Sequence, residues 1–239
     1  RVHNQWEGYL SDIRVRQALN MAVNKAEMLK TLFQGRGSLL PAGGQPTCIV
    51  GAKRFPPVPY DPQKAKELLA AAGYPKGYDL QLIQTTQEYM SVIVPAMSGY
   101  YEAVGLKTKI VTMDIPAATA KWNKGEFKDT AYAYSNANRL PSYATGFYYL
   151  FHSKSPATFI RDPKLDALID GALGAKSLAE LAEFQGKIQQ YLYENHSAVW
   201  GLEVGDYYAV SPKVEVTRWS AGGKATYDVG LTELFWRRP

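Results

Sequence analysis

Apolar residues recur at helical spacing near the start of the chain. Ile13, Val15, Ala18, Leu19, Ala22 and Val23 follow Ser11 and Asp12, either of which can accept a bond from a first-turn amide. Asn24 with Glu27 has the form of a capping box, and Met28, Leu29, Leu32 and Phe33 then supply a second apolar face before Gly35. Asp61 and Pro62 open a third helix with Leu68, Leu69 and Ala72 on its apolar side and Gly73 beyond its end. Tyr78, Leu80, Leu82 and Thr85 set against Asp79, Gln81 and Gln84 predict a strand over Leu80 to Thr85.

The same pattern continues downstream. A helix is expected from Glu88 to Val104, with Val92, Ile93, Ala96, Met97, Tyr100 and Val104 on its apolar face. Another is expected from Ser177 to Asn195, with Leu178, Leu181, Ala182, Ile188, Tyr191 and Leu192. Further strands are predicted over Lys107 to Met113, Thr130 to Tyr134 and Ala198 to Val210. Strands alternating with helices imply an α/β layer architecture. Gly37 to Pro46 and the proline-rich Phe55 to Pro62 form one long connector, since each proline fixes its own backbone and restricts its predecessor. A loop of that length in a compact domain is usually functional or packed on a neighbour. The two DP-initiated helices, at Asp61 and Asp162, look alike through shared helix punctuation rather than duplication.

Composition changes this picture little. The 239 residues, 46% hydrophobic and 21% charged, suffice for one or two domains with a sizeable core. No apolar run approaches the ~20 residues of a membrane-spanning helix. The net charge of +5 comes from cations interspersed with acids, and no basic run exceeds two residues, which argues against a nucleic-acid footprint. The single Cys48 excludes a disulfide within this chain.

Enzyme motifs are missing: there is no HExxH, GxSxG, GxxxxGK or GxGxxG, and the histidines are His3, His152 and His196. Cys48 with His152 specifies no nucleophilic pair, and nothing calls for a cofactor or a resident metal.

The blocks Leu10 to Phe33 and Tyr60 to Leu82 resemble, in this order, the second lobe of family 5 extracellular solute-binding proteins. The likeness continues through Tyr100 to Asp114, Lys124 to Tyr134 and Asp162 to Leu173. This resemblance implies an α/β, type II periplasmic-binding-protein-like lobe with a mixed sheet flanked by helices. Residues 1–211 would be that second ligand-binding lobe, and 212–239 a C-terminal segment returning to a first lobe outside this chain. The implied function is solute capture for an ABC importer. Its partners would be a small-molecule solute and the permease subunits, at a periplasmic or extracellular location, with any membrane anchor upstream of Arg1.

The expected ligand segment is Ala131 to Phe151, where Tyr134, Asn136, Asn138, Arg139 and Tyr143 gather aromatic faces, amides and one fixed cation. Gln84 and Thr86 at the end of a strand, and Gln45 with Pro46 in the long loop, join them as candidates. The residues alone also suit an ordinary Asn-rich turn with a solvated arginine. Against the family pattern, Tyr134 and Pro141 match. Ala137 stands where peptide binders place an aspartate for the peptide amino terminus, and Gln84 where they often carry an arginine for its carboxylate. An ordinary free peptide is therefore disfavoured, and a sugar, a carboxylate, a metal chelate or an oligopeptide-like solute is expected. The competing readings are a free-standing interaction domain, which would require a tightly bound partner, and an enzyme, which would require an unrecognised site.

Overall fold

The computed structural model describes residues 8–40, 51, 55–87, 89–127, 130–133, 144–156, 158, 160–204, 214–216 and 234–236. After a 3₁₀ turn at Gly8–Ser11 come α1 (Ile13–Ala22), α2 (Lys25–Phe33), β1 (Ser38–Leu39), α3 (Pro62–Ala71), β2 (Asp79–Thr85) and α4 (Met90–Ala103). They are followed by β3 (Lys107–Met113), α5 (Ile115–Asn123), β4 (Thr130–Tyr132), α6 (Ala144–Phe151), α7 (Pro163–Gly174), α8 (Leu178–Glu194) and the short strands β5 (Leu202–Glu203), β6 (Val214–Val216) and β7 (Leu234–Trp236).

The caps explain the helix starts. Asp12 accepts the Arg14 amide, Asn24 the Glu27 amide, Asp61 the Lys64 amide and Ser177 the Glu180 amide. Each side chain satisfies one of the donors that a helix leaves unpaired at its first turn. Pro62 and Pro163 sit where a missing N–H costs nothing.

A parallel sheet in the order β3-β2-β4 forms the centre, with Asp79 to Thr85 in register with Lys107 to Met113 and Gln81 to Ile83 opposite Thr130 to Tyr132. Antiparallel pairing occurs outside it, between β1 and β5 and between β6 and β7. The sheet separates two apolar clusters. One holds Leu80, Leu82 and Ala131 with Leu19 of α1, Leu69 of α3 and Val94 and Tyr101 of α4. The other holds Ile83 and Tyr132 with Trp122 of α5, Phe147 of α6, Leu165 and Ile169 of α7, and Ile188 and Leu192 of α8. Side chains that alternate across a strand send successive residues of β2 and β4 into different clusters. Ala198, Val199 and Trp200 do the same without belonging to any ladder.

Two buried polar side chains, Arg16 and Asn20, tie the first cluster to the segment after α8, and a third, Lys25, ties α2 to α1 and to the connector before α3. The Arg16 guanidinium donates from Nε to Asn195 O at 3.1 Å and from Nη1 to Leu10 O and Ser11 O at 2.9 and 2.8 Å. The Asn20 amide donates to Ala198 O at 3.0 Å, and Lys25 Nζ to Asn20 O and Val58 O at 3.1 and 3.3 Å. Lys25 is only 5% exposed. With no carboxylate bonded to it, burial pulls its amine down to about 8.

Three expected core positions face outward instead. Ile13 and Val92 are each 43% exposed and Leu178 is 70% exposed, because the first turn of each helix lies at the end of its packed face. The strand expected through Tyr134 ends at Tyr132, and of the one expected from Ala198 only Leu202 and Glu203 pair within the described residues.

Gly77 is constrained twice. Its φ is +69°, and a Cβ there would lie 1.9 Å from Gly105 O, whereas Gly35 at φ +73° has nothing within 4 Å. Gly35→Ala should cost about 1–2 kcal/mol, the left-handed backbone alone, and Gly77→Ala at least ~2 kcal/mol more. Urea unfolding of the two variants checks this, and equal losses would contradict it.

Lys25 sets a pH dependence of known sign. Between pH 8 and the ordinary lysine value of 10.5 the unfolded chain keeps a proton that the folded chain has released, so stability rises with pH across that window. Relative to Lys25→Met, the wild type should gain on the order of 2–3 kcal/mol from pH 8 to 10.5 in urea unfolding. A flat difference between the two proteins would refute the assignment.

Candidate functional site

Topology locates the site before any side chain is considered. The chain passes from β2 through α4 to β3 on one side, then through α5 back across β2 to β4 on the other. In an open parallel sheet, ligands settle at the carboxyl edge where the winding reverses, which here lies between β2 and β4. Two connections leave that point: residues 86–89, leading to α4 against the first cluster, and residues 133–143, leading to α6 against the second.

The described residues at this edge are neutral and polar. Gln84 Nε2 donates to Thr112 Oγ1 of β3 at 3.3 Å, so its amide is held by the neighbouring strand. Gln84 Oε1, Thr85 Oγ1 and Gln87 Oε1 are buried and make no hydrogen bond among the described residues. Leaving such an atom buried without a partner costs about 1–3 kcal/mol. The α4 helix that begins here has no side-chain cap, its N-cap being Tyr89. Across the edge, Asp114 is committed to the α5 N-terminus, accepting the Ala117 amide at 2.7 Å.

Of the expected site residues, Gln84 lies at the switch point and Thr86 is exposed one residue beyond the end of β2. Gln45, Pro46, Tyr134, Asn136, Ala137, Asn138, Arg139, Pro141 and Tyr143 lie outside the described residues. Thr85 and Gln87 belong to no motif in the sequence. The signal available was their position: polar residues closing the central strand of a parallel sheet have no packing reason to be there.

Chemistry other than binding finds little support at this edge. Among the described residues no group of three His, Cys, Asp or Glu could hold a metal ion. His152 is buried elsewhere, with Nδ1 accepting the Lys154 amide at 3.1 Å and Nε2 lying 3.3 Å from an Asp170 oxygen. Cys48 lies outside the described residues. What the edge can do is exchange hydrogen bonds with a small molecule seated between β2 and β4.

The described residues thus form a doubly wound lobe with polar side chains at its switch point. Residues 2–158 match the model of bacterial extracellular solute-binding proteins, family 5 middle, and the chain belongs to that family. It is 26% identical over 213 residues to heme-binding protein A of Haemophilus influenzae, covering 85% of this chain and 39% of that protein. It is 36% identical over 119 residues to the glutathione-binding protein GsiB of Pectobacterium atrosepticum, covering 49% of this chain and 23% of the relative. The solved structure of MoaA from A. tumefaciens R10 in complex with mannopinic acid superposes with a TM-score of 0.79 at 19% identity, over 99% of this chain and 49% of that one. The chain thus spans under half of each of these proteins, and the fold is that of a type II periplasmic binding protein.

Thr85→Val keeps the shape of the side chain and removes an oxygen that lacks a partner. It should leave stability unchanged or raise it by up to about 1 kcal/mol, whereas Thr130→Val, which loses a hydroxyl bonded to Gln81 Oε1, should cost about 1 kcal/mol. Urea midpoints of the two variants test this. A loss of more than 1 kcal/mol at Thr85 would show that the free protein already satisfies it.

Proposed function

We propose that this chain forms a ligand-binding lobe of the substrate-binding component of an ABC importer. The observation that carries the reading is the switch-point edge, where Gln84, Thr85 and Gln87 offer buried, unpartnered oxygens in a chain of solute-binding family membership. Residues 1–211 constitute the lobe, and residues 212–239 return towards a first lobe outside the chain. Capture proceeds by closure of two lobes about a hinge, driven by the solute's higher affinity for the closed form. The liganded form is then presented to permease subunits from a periplasmic or extracellular position.

The cargo is a small solute other than an ordinary free peptide: a sugar, a carboxylate, a metal chelate or an oligopeptide-like molecule. Gln84 supports this, since a neutral amide tied to Thr112 occupies the strand end and supplies no cation for a peptide carboxylate. The names of the relatives point to comparable breadth, heme and glutathione among curated proteins and mannopinic acid in a solved complex. Tyr134, Asn136, Asn138, Arg139 and Tyr143 supply the remaining contacts in this reading, with Thr86 and Gln45 at its margin.

Thermal unfolding of the protein, extended to the length of its relatives, against peptides, sugars, aromatic acids and metal chelates tests the proposal. One class should raise the midpoint, because a ligand that binds only the native state stabilises it by mass action. The 239-residue chain should show a much smaller shift with the same class, having half the contacts and no closure. No shift with any class would overturn the assignment, as would tight capture of a protein partner in place of a solute.

A further inference from the structure

The turn that leaves α8 places a histidine in a backbone conformation that favours glycine. His196 has φ +45°. Three bonds that close the helix hold it there: the Asn195 amide donates to Tyr191 O at 3.0 Å, the His196 amide to Tyr193 O at 3.1 Å and the Ser197 amide to Leu192 O at 3.0 Å. Nδ1 of the imidazole is buried and makes no hydrogen bond among the described residues.

The surroundings of this ring are cationic. From α1, Arg16 is 6% exposed and holds the carbonyl of Asn195, the residue before His196. From α2, the buried Lys25 amine takes the carbonyl of Asn20, whose side-chain amide in turn holds Ala198 O two residues beyond His196. The nearby acids are engaged elsewhere. Asp12 pairs with Arg14, Asp162 accepts the Tyr191 hydroxyl, and Glu194 is exposed and accepts from Gln190 Nε2 at 2.8 Å. Among the described residues no carboxylate bonds Arg16, Lys25 or His196. Burial first, then Arg16 and Lys25, push the His196 pKa below its ordinary 6.5.

A proton on His196 therefore meets two penalties. It adds a positive charge beside two cations, and it turns both ring nitrogens into donors, leaving the buried Nδ1 with nothing to accept its hydrogen. What gives way is set by the connections. Residues 195–200 have no ladder of their own and run into β5, which is held by only two residue pairs with β1. The central sheet has seven pairs between β2 and β3 and does not touch this turn.

We propose that His196 is an acid-operated release for the seam between α8 and β5: protonated, it frees residues 195–203 from α1 and β1 while the central sheet stays folded. The inference goes beyond the solute-binding reading and stands without it. Between pH 7 and 5 the Arg16 and Lys25 side chains keep their charge whether the seam is open or closed, so the histidine supplies the dependence. An opened seam gives the ring its ordinary proton affinity and a closed one resists the proton. Opening thus increases as pH falls through 6.5, and the closed form is favoured above it.

Amide hydrogen exchange of the 239-residue chain at pH 7 and pH 5, read by NMR as protection factors, tests it. Protection of the Asn195, His196 and Ser197 amides, and of the Leu40 amide that donates to Gly201 O, should fall at least about threefold at pH 5. The ceiling is about 25-fold, set by an ordinary histidine value of 6.5 in the open form. Amides of the β2–β3 ladder should keep their protection. His196→Asn and His196→Gly both suit a left-handed backbone and take no proton, so each should show the same protection at the two pH values. The Cε1 proton of His196 in the unaltered chain should titrate with a midpoint below 6.5, a readout that needs no variant. Equal protection at both pH values, a fall that the variants retain, a fall shared by the β2–β3 ladder, or a midpoint at or above 6.5 would each overturn the proposal.

Discussion

The structure depends on a few buried polar side chains of α1 and α2 that bond backbone carbonyls both nearby and far away in the sequence. Arg16, Asn20 and Lys25 have no acid bonded to them, and their partners are the carbonyls of Leu10, Ser11, Asn195, Ala198, Val58 and α1 itself. A carbonyl can satisfy a cation's donors but not neutralise its charge, which is why burial lowers both the Arg16 and the Lys25 pKa. The return is positional. Segment 195–200 has no ladder of its own, and these bonds fix where Ala198, Val199 and Trp200 enter the two apolar clusters.

With the clusters fixed on either face of the sheet, β2 becomes the element both share. Its alternate residues are committed to different sides, so neither side can slide without moving the other. The carboxyl end of that strand is where packing requirements stop and polar residues begin. Gln84 and Thr85 close this strand, which pairs on both sides, and Gln87 follows two residues beyond it.

Much of this was legible in the sequence because the deciding signals were local. Asn24 and Asp61 cap where their position before an apolar run predicts, Asp12 rather than Ser11 caps α1, and β3 has the predicted limits, Lys107 to Met113. The misses were non-local. Nothing in the pattern of Ile13, Val92 or Leu178 says that a helix's first turn will overhang its neighbour. Of the site, Gln84 was legible through its place at a strand end. Thr85 has only a strand signal, because a threonine closing a strand is ordinary until the strand is known to be central and parallel. The aromatic and asparagine-rich segment stood out by composition, which identifies a place of contact without fixing its geometry.

The span of the clamp along the chain has a kinetic meaning. The Arg16–Asn195 and Asn20–Ala198 bonds join residues 179 and 178 positions apart, so both close only after nearly all of the lobe has been made. Closing so large a loop is entropically costly and must precede the reward of sealing either cluster. The N-terminal helices pack on α3, α4 and β2, and what waits for the chain beyond α8 is the contribution of Val199 to the first cluster and of Ala198 and Trp200 to the second. The clamp therefore sets the last step of assembly, closing over a core whose first part is already encoded before α8.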